Sequence, residues 1–180
     1  EGKKQMFADW EKFYGHFDSR LRCMPSIGIA ETQTTEAIRE NGAVGLTTVE
    51  LGDQGELLVY RLECERVKAD KERLLNKVLL LGKTKGLGYD ISSIEADENP
   101  SRPEFARYIE VKSTKRSTEP TFDRVNWYDT LNLTSKEWIA AEQYGDFYNI
   151  YRVYFTKKKT IVIRIKNPFK LSQEDKIEVY

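Results

Sequence analysis

The chain has 180 residues, with 29 basic and 29 acidic side chains and a formal net charge of zero. That length suits one domain with an ordinary core, and the charge balance argues against a free-standing, high-affinity nucleic-acid binder. No apolar run approaches the roughly 20 residues that span a bilayer, and Cys23 and Cys64 are too few for a disulfide framework or a zinc site, so a cytoplasmic protein with reduced thiols and no membrane partner is expected.

The charge is unevenly spread. Acidic residues outnumber basic ones up to position 65, and basic ones outnumber acidic ones beyond it. The later two thirds could therefore hold a phosphate backbone with help from another domain. The chain opens on Glu1 rather than Met and shows no signal peptide, so a piece of a longer protein is expected.

Residues 1–50 read as an N-terminal helical extension or linker, ahead of a domain at 51–180. Met6, Trp10, Phe13 and Phe17 recur at helical spacing, a stripe that suits packing against a neighbour. His16 is the only histidine, so a histidine-based triad or zinc site would rest on one residue in an aromatic helix. Residues 25–28 break the chain, and residues 34–40 read as a short helix closed by Asn41 and Gly42. A second helix is expected over 52–69, with Leu57, Tyr60, Cys64 and Val67 as its apolar stripe. Asp53 and Glu56 have capping-box spacing, which is one reading of Glu56.

Residues 77–82 read as the first strand of a sheet. Gly82, Lys83 and Thr84 do not make a nucleotide P-loop, because Lys77 occupies the place of its first glycine. Gly86 and Gly88 precede a strand rather than a helix, which removes the dinucleotide fingerprint. They suit a tight turn and close backbone approach to a ligand.

Two short strands follow, on either side of a polar turn at 97–100, and each carries charge where a buried strand should have none. In the second, Phe105, Arg107, Ile109 and Val111 alternate with Ala106, Tyr108, Glu110 and Lys112. Glu110 and Lys112 therefore project from one face, about 7 Å apart along the strand. Strand pairing could bring the Asp90 carboxylate beside Glu110. Two carboxylates converging next to one ammonium make a poor structural element and a good divalent-cation site. The competing reading is an exposed Glu110–Lys112 ion pair worth about 0–1 kcal/mol. Lys85, Lys115 and Arg116 flank this stretch as candidate phosphate contacts; a solvated turn is the competing reading of Lys115 and Arg116, and their closeness to the proposed metal favours the phosphate contact.

Residues 121–133 should add a strand, with Trp127 and Tyr128 either in the core or on a base-stacking surface. Thr134 and Glu137 form a second capping box, which makes Glu137 structural, and Gly145 stops that helix. Residues 146–155 and 160–165 read as strands joined by a basic turn at Lys157, Lys158 and Lys159, with Ile161, Ile163 and Ile165 on one face.

The string Gly-Leu-Gly-Tyr-Asp-Ile at 86–91, Ile-Glu-Val-Lys-Ser-Thr at 109–114 and Leu-Thr-X-X-Glu-Trp at 133–138 is similar to that of the NO VEIN C-terminal-like family. An Asp followed after about twenty residues by Glu-X-Lys resembles the wider PD-(D/E)XK nuclease superfamily. The resemblance covers roughly residues 52–156. It implies an α/β (α+β) fold, a restriction-endonuclease-like mixed central sheet flanked by helices. It also implies a metal-dependent endonuclease domain acting on DNA, the cleavage module of a larger restriction or phage-defence protein. Asp90 and Glu110 would be metal ligands, with the Val111 carbonyl completing the shell. Lys112 would orient or deprotonate a water or neutralise phosphate charge, and Glu56 would be the helix-borne acid beside the metal. Mg²⁺ is the expected ion, with Mn²⁺ as substitute, since hard oxygen ligands dominate. Helicase, NTPase or recognition modules would be partners, and a homodimer is compatible. The alternative is a non-catalytic nucleic-acid-binding or scaffolding module on the same fold.

Overall fold

The computed structural model describes residues 18–23, 30–35, 47–84, 86–95, 105–120 and 129–179. The aromatic stripe at 5–17, His16, Lys85, the turn at 97–100, Trp127 and Tyr128 lie outside these residues.

Thr47 opens the first helix, α1 (Thr48–Lys71): the Thr47 N–H donates to Glu50 Oε2 at 2.7 Å and the Glu50 N–H donates to the Thr47 hydroxyl at 3.3 Å. This reciprocal box satisfies two of the amides that a helix start leaves unpaired. It corrects the expected start at 52 and the Asp53–Glu56 cap, because Thr47 offers the same spacing one and a half turns earlier. The buried stripe of α1 also differs from expectation. It runs through Gly55, Val59, Glu63 and Val67, whereas Leu57 is exposed.

A six-stranded mixed sheet lies against α1, in the order β2 (Ala30–Thr35), β8 (Thr160–Lys166), β7 (Tyr148–Phe155), β5 (Phe105–Lys115), β4 (Ile91–Glu95), β3 (Leu79–Leu80). Among the described strands of this sheet, β5 and β7 pair in parallel and the others antiparallel. Behind the sheet lie a three-stranded sheet, β6 (Asp129–Thr134), β1 (Asp18–Cys23) and β9 (Ile177–Val179), and the helices α2 (Ser135–Tyr144) and α3 (Pro168–Gln173). This is the expected α+β class. The expected first strand at 77–82 shrinks to two half-exposed leucines on an edge, because α1 continues into a 3₁₀ turn (Glu72–Lys77). Thr34 and Thr35 belong to β2, not to a helix, as β-branched threonine favours; the rest of that expected helix lies outside the described residues. β1 and β2 pair with strands of the main body, so the described residues up to 35 are strand, and the last residues of 1–50 already belong to α1.

Two apolar clusters sandwich the main sheet. One joins α1 to it through Val59, Val67, Ile109, Val111, Tyr151 and Val153. The other lies on the α2 side, where Trp138 meets Tyr148, Ile150 and, as expected, Ile161, Ile163 and Ile165. Gly55 permits the close seat of α1, since a Cβ there would fall 1.8 Å from Ser113 Oγ.

Glu63, 2 % exposed, interrupts the apolar stripe and is paired throughout. It accepts from Arg66 Nη2 (2.7 Å), Ser93 Oγ (2.7 Å), Arg107 Nη1 (3.0 Å) and Tyr151 OH (2.8 Å). Burial opposes its charge, but the arginines and hydroxyls outweigh burial and hold its pKa at about 2. Arg107 continues to Glu95, which also takes Arg164 Nη2 at 2.7 Å. Removing one partner from such a network leaves a buried charge uncompensated. Glu63→Ala is therefore expected to lose about 3–5 kcal/mol of unfolding free energy in urea, with Arg107 and Arg66 left facing each other.

Candidate active site

The register of β4 on β5 pairs Ile91 with Ile109, and the Asp90 N–H donates to the Ile109 carbonyl at 2.9 Å. Asp90 thus stands just outside the last rung of the β4–β5 ladder, next to Glu110. Asp90 Oδ2 accepts the Val111 N–H at 2.8 Å, and its carboxyl meets that of Glu110. In a strand the N–H and C=O of one residue point to the same side. The Val111 carbonyl thus faces the Asp90 side, beyond the last rung of the β4–β5 ladder.

Lys112 stands on the same face of β5 as Glu110. Its ammonium lies 2.7 Å from Glu110 Oε1 and 2.7 Å from Glu137 Oε2. Glu137 is the third residue of α2, and its Oε2 also accepts the Thr134 N–H at 3.0 Å within the expected capping box. The structural reading of Glu137 is thus incomplete, because the same carboxylate grips Lys112. The signal was its place in the Leu-Thr-X-X-Glu-Trp string.

The loop carrying Asp90 is fixed from both sides. Gly88 adopts φ +75°, and a Cβ there would meet the Lys136 carbonyl of α2 at 2.7 Å. Tyr148 OH donates to the Gly88 carbonyl at 2.8 Å. The close approach expected of this glycine is therefore made to a helix of the same chain.

Burial, and to a lesser degree Asp90, raises Glu110 well above the usual carboxylate range, although Lys112 opposes this. Burial also raises Asp90, against the Val111 N–H and Lys112. Lys112 is held protonated above its usual range: burial disfavours its charge, but Glu110 and Glu137 overcome this. Three carboxyl groups thus face one ammonium. A proton on the Asp90–Glu110 pair or a divalent cation would relieve the surplus negative charge.

Glu56 approaches from α1, packed against Gly82. It is half-buried, and burial, then the charges of Asp90 and Asp53, push its pKa up to about 7.

Among the described residues no three His, Cys, Asp or Glu side chains form a metal-binding group. The donor set therefore does not fit zinc, which takes three or four protein ligands. It fits Mg²⁺, which keeps several waters and uses one or two carboxylates, here Asp90 and Glu110 with the Val111 carbonyl.

Of the candidate phosphate contacts, Lys115 is exposed at the end of β5. Arg116 is engaged: its Nη2 lies 3.0 Å from Asp129 Oδ1, and its guanidinium sits 5.5 Å from the Tyr154 ring centroid. Asp129 also takes Arg152 Nε and Tyr154 OH, each at 2.7 Å, so Arg116 ties β5 to the second sheet. Lys159, in the basic turn, pairs with Glu119 at 2.9 Å.

A carboxyl whose folded pKa is raised binds more protons when folded. Its contribution is most favourable below the unfolded pKa and is lost as pH rises through the folded value. Glu56 should therefore lower the melting temperature of the metal-free protein as pH rises from about 4.5 to about 7. Asp90 and Glu110 act in the same direction. Melting curves of Glu56→Gln should show a visibly shallower decline over this window; an unchanged profile would remove Glu56 from the cluster's electrostatics.

No described helix is long and apolar enough to cross a membrane. No curated protein and no solved structure matches the chain. One family model does match, over residues 55–165, and that span runs from the Gly55 seat of α1 through Asp90, Glu110, Lys112 and Glu137 to β8. The chain belongs to the family described as Protein NO VEIN, C-terminal.

Proposed function

We propose that this domain is a divalent-metal-dependent phosphodiesterase of the PD-(D/E)XK type that cuts DNA endonucleolytically, as the cleavage module of a larger restriction or phage-defence protein. The observation that carries the reading is the buried Asp90–Glu110 carboxyl pair with Lys112 held beside it. Such a pair is costly in an empty site and is relieved by a hard cation. When bound, Mg²⁺ would polarise a phosphoryl oxygen and acidify a water. Asp90 and Glu110 would hold it, with the Val111 carbonyl.

The chain's own groups supply the remaining chemistry. The Lys112 ammonium, kept charged by Glu110 and Glu137, would stabilise negative charge that develops on the phosphoryl oxygens. Glu56, with its pKa near 7, could take a proton from an attacking water near neutral pH. The larger protein would supply a DNA-recognition or NTP-driven part, which agrees with a neutral domain of this size.

A second reading has one observation in its favour. Glu110, Lys112 and Glu137 form a closed chain of ion pairs, which could serve a non-catalytic nucleic-acid-binding or scaffolding module. Supercoiled plasmid incubated with the protein, with Mg²⁺ or with EDTA, separates the two. Nicking or linearisation with Mg²⁺ alone is expected, and Lys112→Ala should lower its rate by at least about 100-fold, the scale of one lost charge-stabilising donor, while retaining Mg²⁺ binding in calorimetry. Asp90→Ala and Glu110→Ala should lose both cutting and Mg²⁺ binding. No cutting by the wild type, with all three variants melting lower than it, would leave the scaffold reading.

A further inference from the structure

Three tyrosines from three elements meet beside the carboxyl pair. Tyr89 precedes Asp90 in the Gly88 loop, Tyr108 lies in β5 and Tyr144 ends α2. The Tyr108 and Tyr144 ring centroids are 4.0 Å apart with planes at 31°, and Tyr89 lies 4.8 Å from Tyr108 and 5.9 Å from Tyr144. All three are half-buried, packed on the edge of the α2-side core.

Their chemistry differs from that of the neighbouring tyrosines. Tyr148, Tyr151 and Tyr154 are buried, and each hydroxyl is spent on a partner: the Gly88 carbonyl, Glu63 and Asp129. The trio sits at the rim instead, joined to one another by ring contacts. Tyr108 also shares a face of β5 with Glu110 and Lys112, because alternate residues of a strand point the same way. The Lys112 ammonium reaches back to within 2.7 Å of Glu110 Oε1, and Tyr108 stands about 7 Å from Glu110 along the strand. That separation is of the order of the distance between a phosphate and the base of its own or the adjoining nucleotide.

We propose that Tyr89, Tyr108 and Tyr144 form a stacking platform for an unpaired nucleobase of the strand whose phosphate lies at Lys112. This rests on the nucleic-acid reading of the carboxyl–lysine site and names the substrate class within it: a strand with a base out of the duplex near the cut. Aromatic rings hold such bases by their π-faces, whatever their sequence, and a base inside a duplex stack would not reach the rim. Lys112 supplies a positive charge beside the trio once a cation offsets the carboxyl groups around it, and rings contributed by three separate elements give a surface that is set before the strand arrives. The Gly88 clamp on α2 fixes Tyr89 against Tyr144, so the platform and the position of Asp90 depend on the same loop.

The test is equilibrium binding in EDTA, where no cleavage occurs, of a thymidine oligonucleotide and of an abasic strand of equal length and charge. The phosphate contribution is common to both strands, so their difference reads the platform. Wild-type protein should bind the thymidine strand about 5- to 150-fold more tightly, the range for one stacked base. Tyr108→Leu should abolish that preference while leaving abasic-strand affinity unchanged, and Tyr108→Phe should retain it. The Phe variant guards against loss of fold, and the comparison within the wild type needs no variant at all. Equal affinity of the wild type for the two strands, or a preference that survives Tyr108→Leu, overturns the platform. Base preference without Mg²⁺-dependent cutting removes the nuclease reading and keeps the platform; cutting without base preference does the reverse. Absence of binding to either strand overturns the platform and leaves the nuclease reading to the plasmid-cutting assay.

Discussion

The pairing of β4 with β5 decides where every charged group of the site stands. The ladder ends at Ile91 opposite Ile109, and Asp90, entering from the Gly88 turn, stands just outside that rung with its carboxyl beside Glu110. Slipping this register by one residue would turn Glu110 and Lys112 to the α1 side of the sheet and bring Ile109 into the site. The register is held by apolar pairs on the α1 face and by the Val111 N–H on Asp90. The same bond that orders the Asp90 carboxylate also orders the strand carrying its partner. Stability of the sheet and assembly of the acid pair are thus one event.

The helix α1 carries two acids with opposite fates, two turns apart on neighbouring positions of its inner surface. Glu63 meets two arginines, a serine and a tyrosine, and remains ionised to a pKa of about 2. Glu56 meets no comparable set of donors, and the carboxylate of Asp90 is close enough to push it up to about 7. Environment alone separates them. Glu63 ties α1 to the sheet through Ser93, Arg107 and Tyr151, and that anchoring holds the first turns of α1, with Glu56, over the sheet edge. A buried structural charge network therefore positions a titratable group at the candidate site, and the Lys112–Glu137 contact does the same from α2.

Local signals made much of this legible. The alternation in β5 put Glu110 and Lys112 on one face, the Thr134–Glu137 spacing marked the start of α2, and alternate isoleucines marked the core face of β8. Long-range pairing was not legible. Glu63 reads as a solvent-facing residue of an amphipathic helix, because its four partners come from positions 66, 93, 107 and 151. Arg107 sits 3 % exposed in a strand for the same reason. The capping-box spacing also occurs twice within ten residues, at Thr47–Glu50 and Asp53–Glu56, and local spacing cannot rank the two. The three-stranded sheet escaped notice because it joins segments from both ends of the chain, one of them only three residues long. The capping role of Glu137 is local and legible; its second bond, to Lys112, crosses from helix to strand.

If Asp90 and Glu110 hold a hard cation as proposed, Lys112 stands beside it rather than among its ligands. Crystals grown with Mn²⁺ test this directly through the anomalous signal of the ion. The account predicts one peak coordinated by the Asp90 and Glu110 carboxylates and the Val111 carbonyl, with the Lys112 ammonium outside the coordination shell and still paired with Glu137. Full binding conditions that yield no peak there, with Glu110 still paired with Lys112, would contradict it.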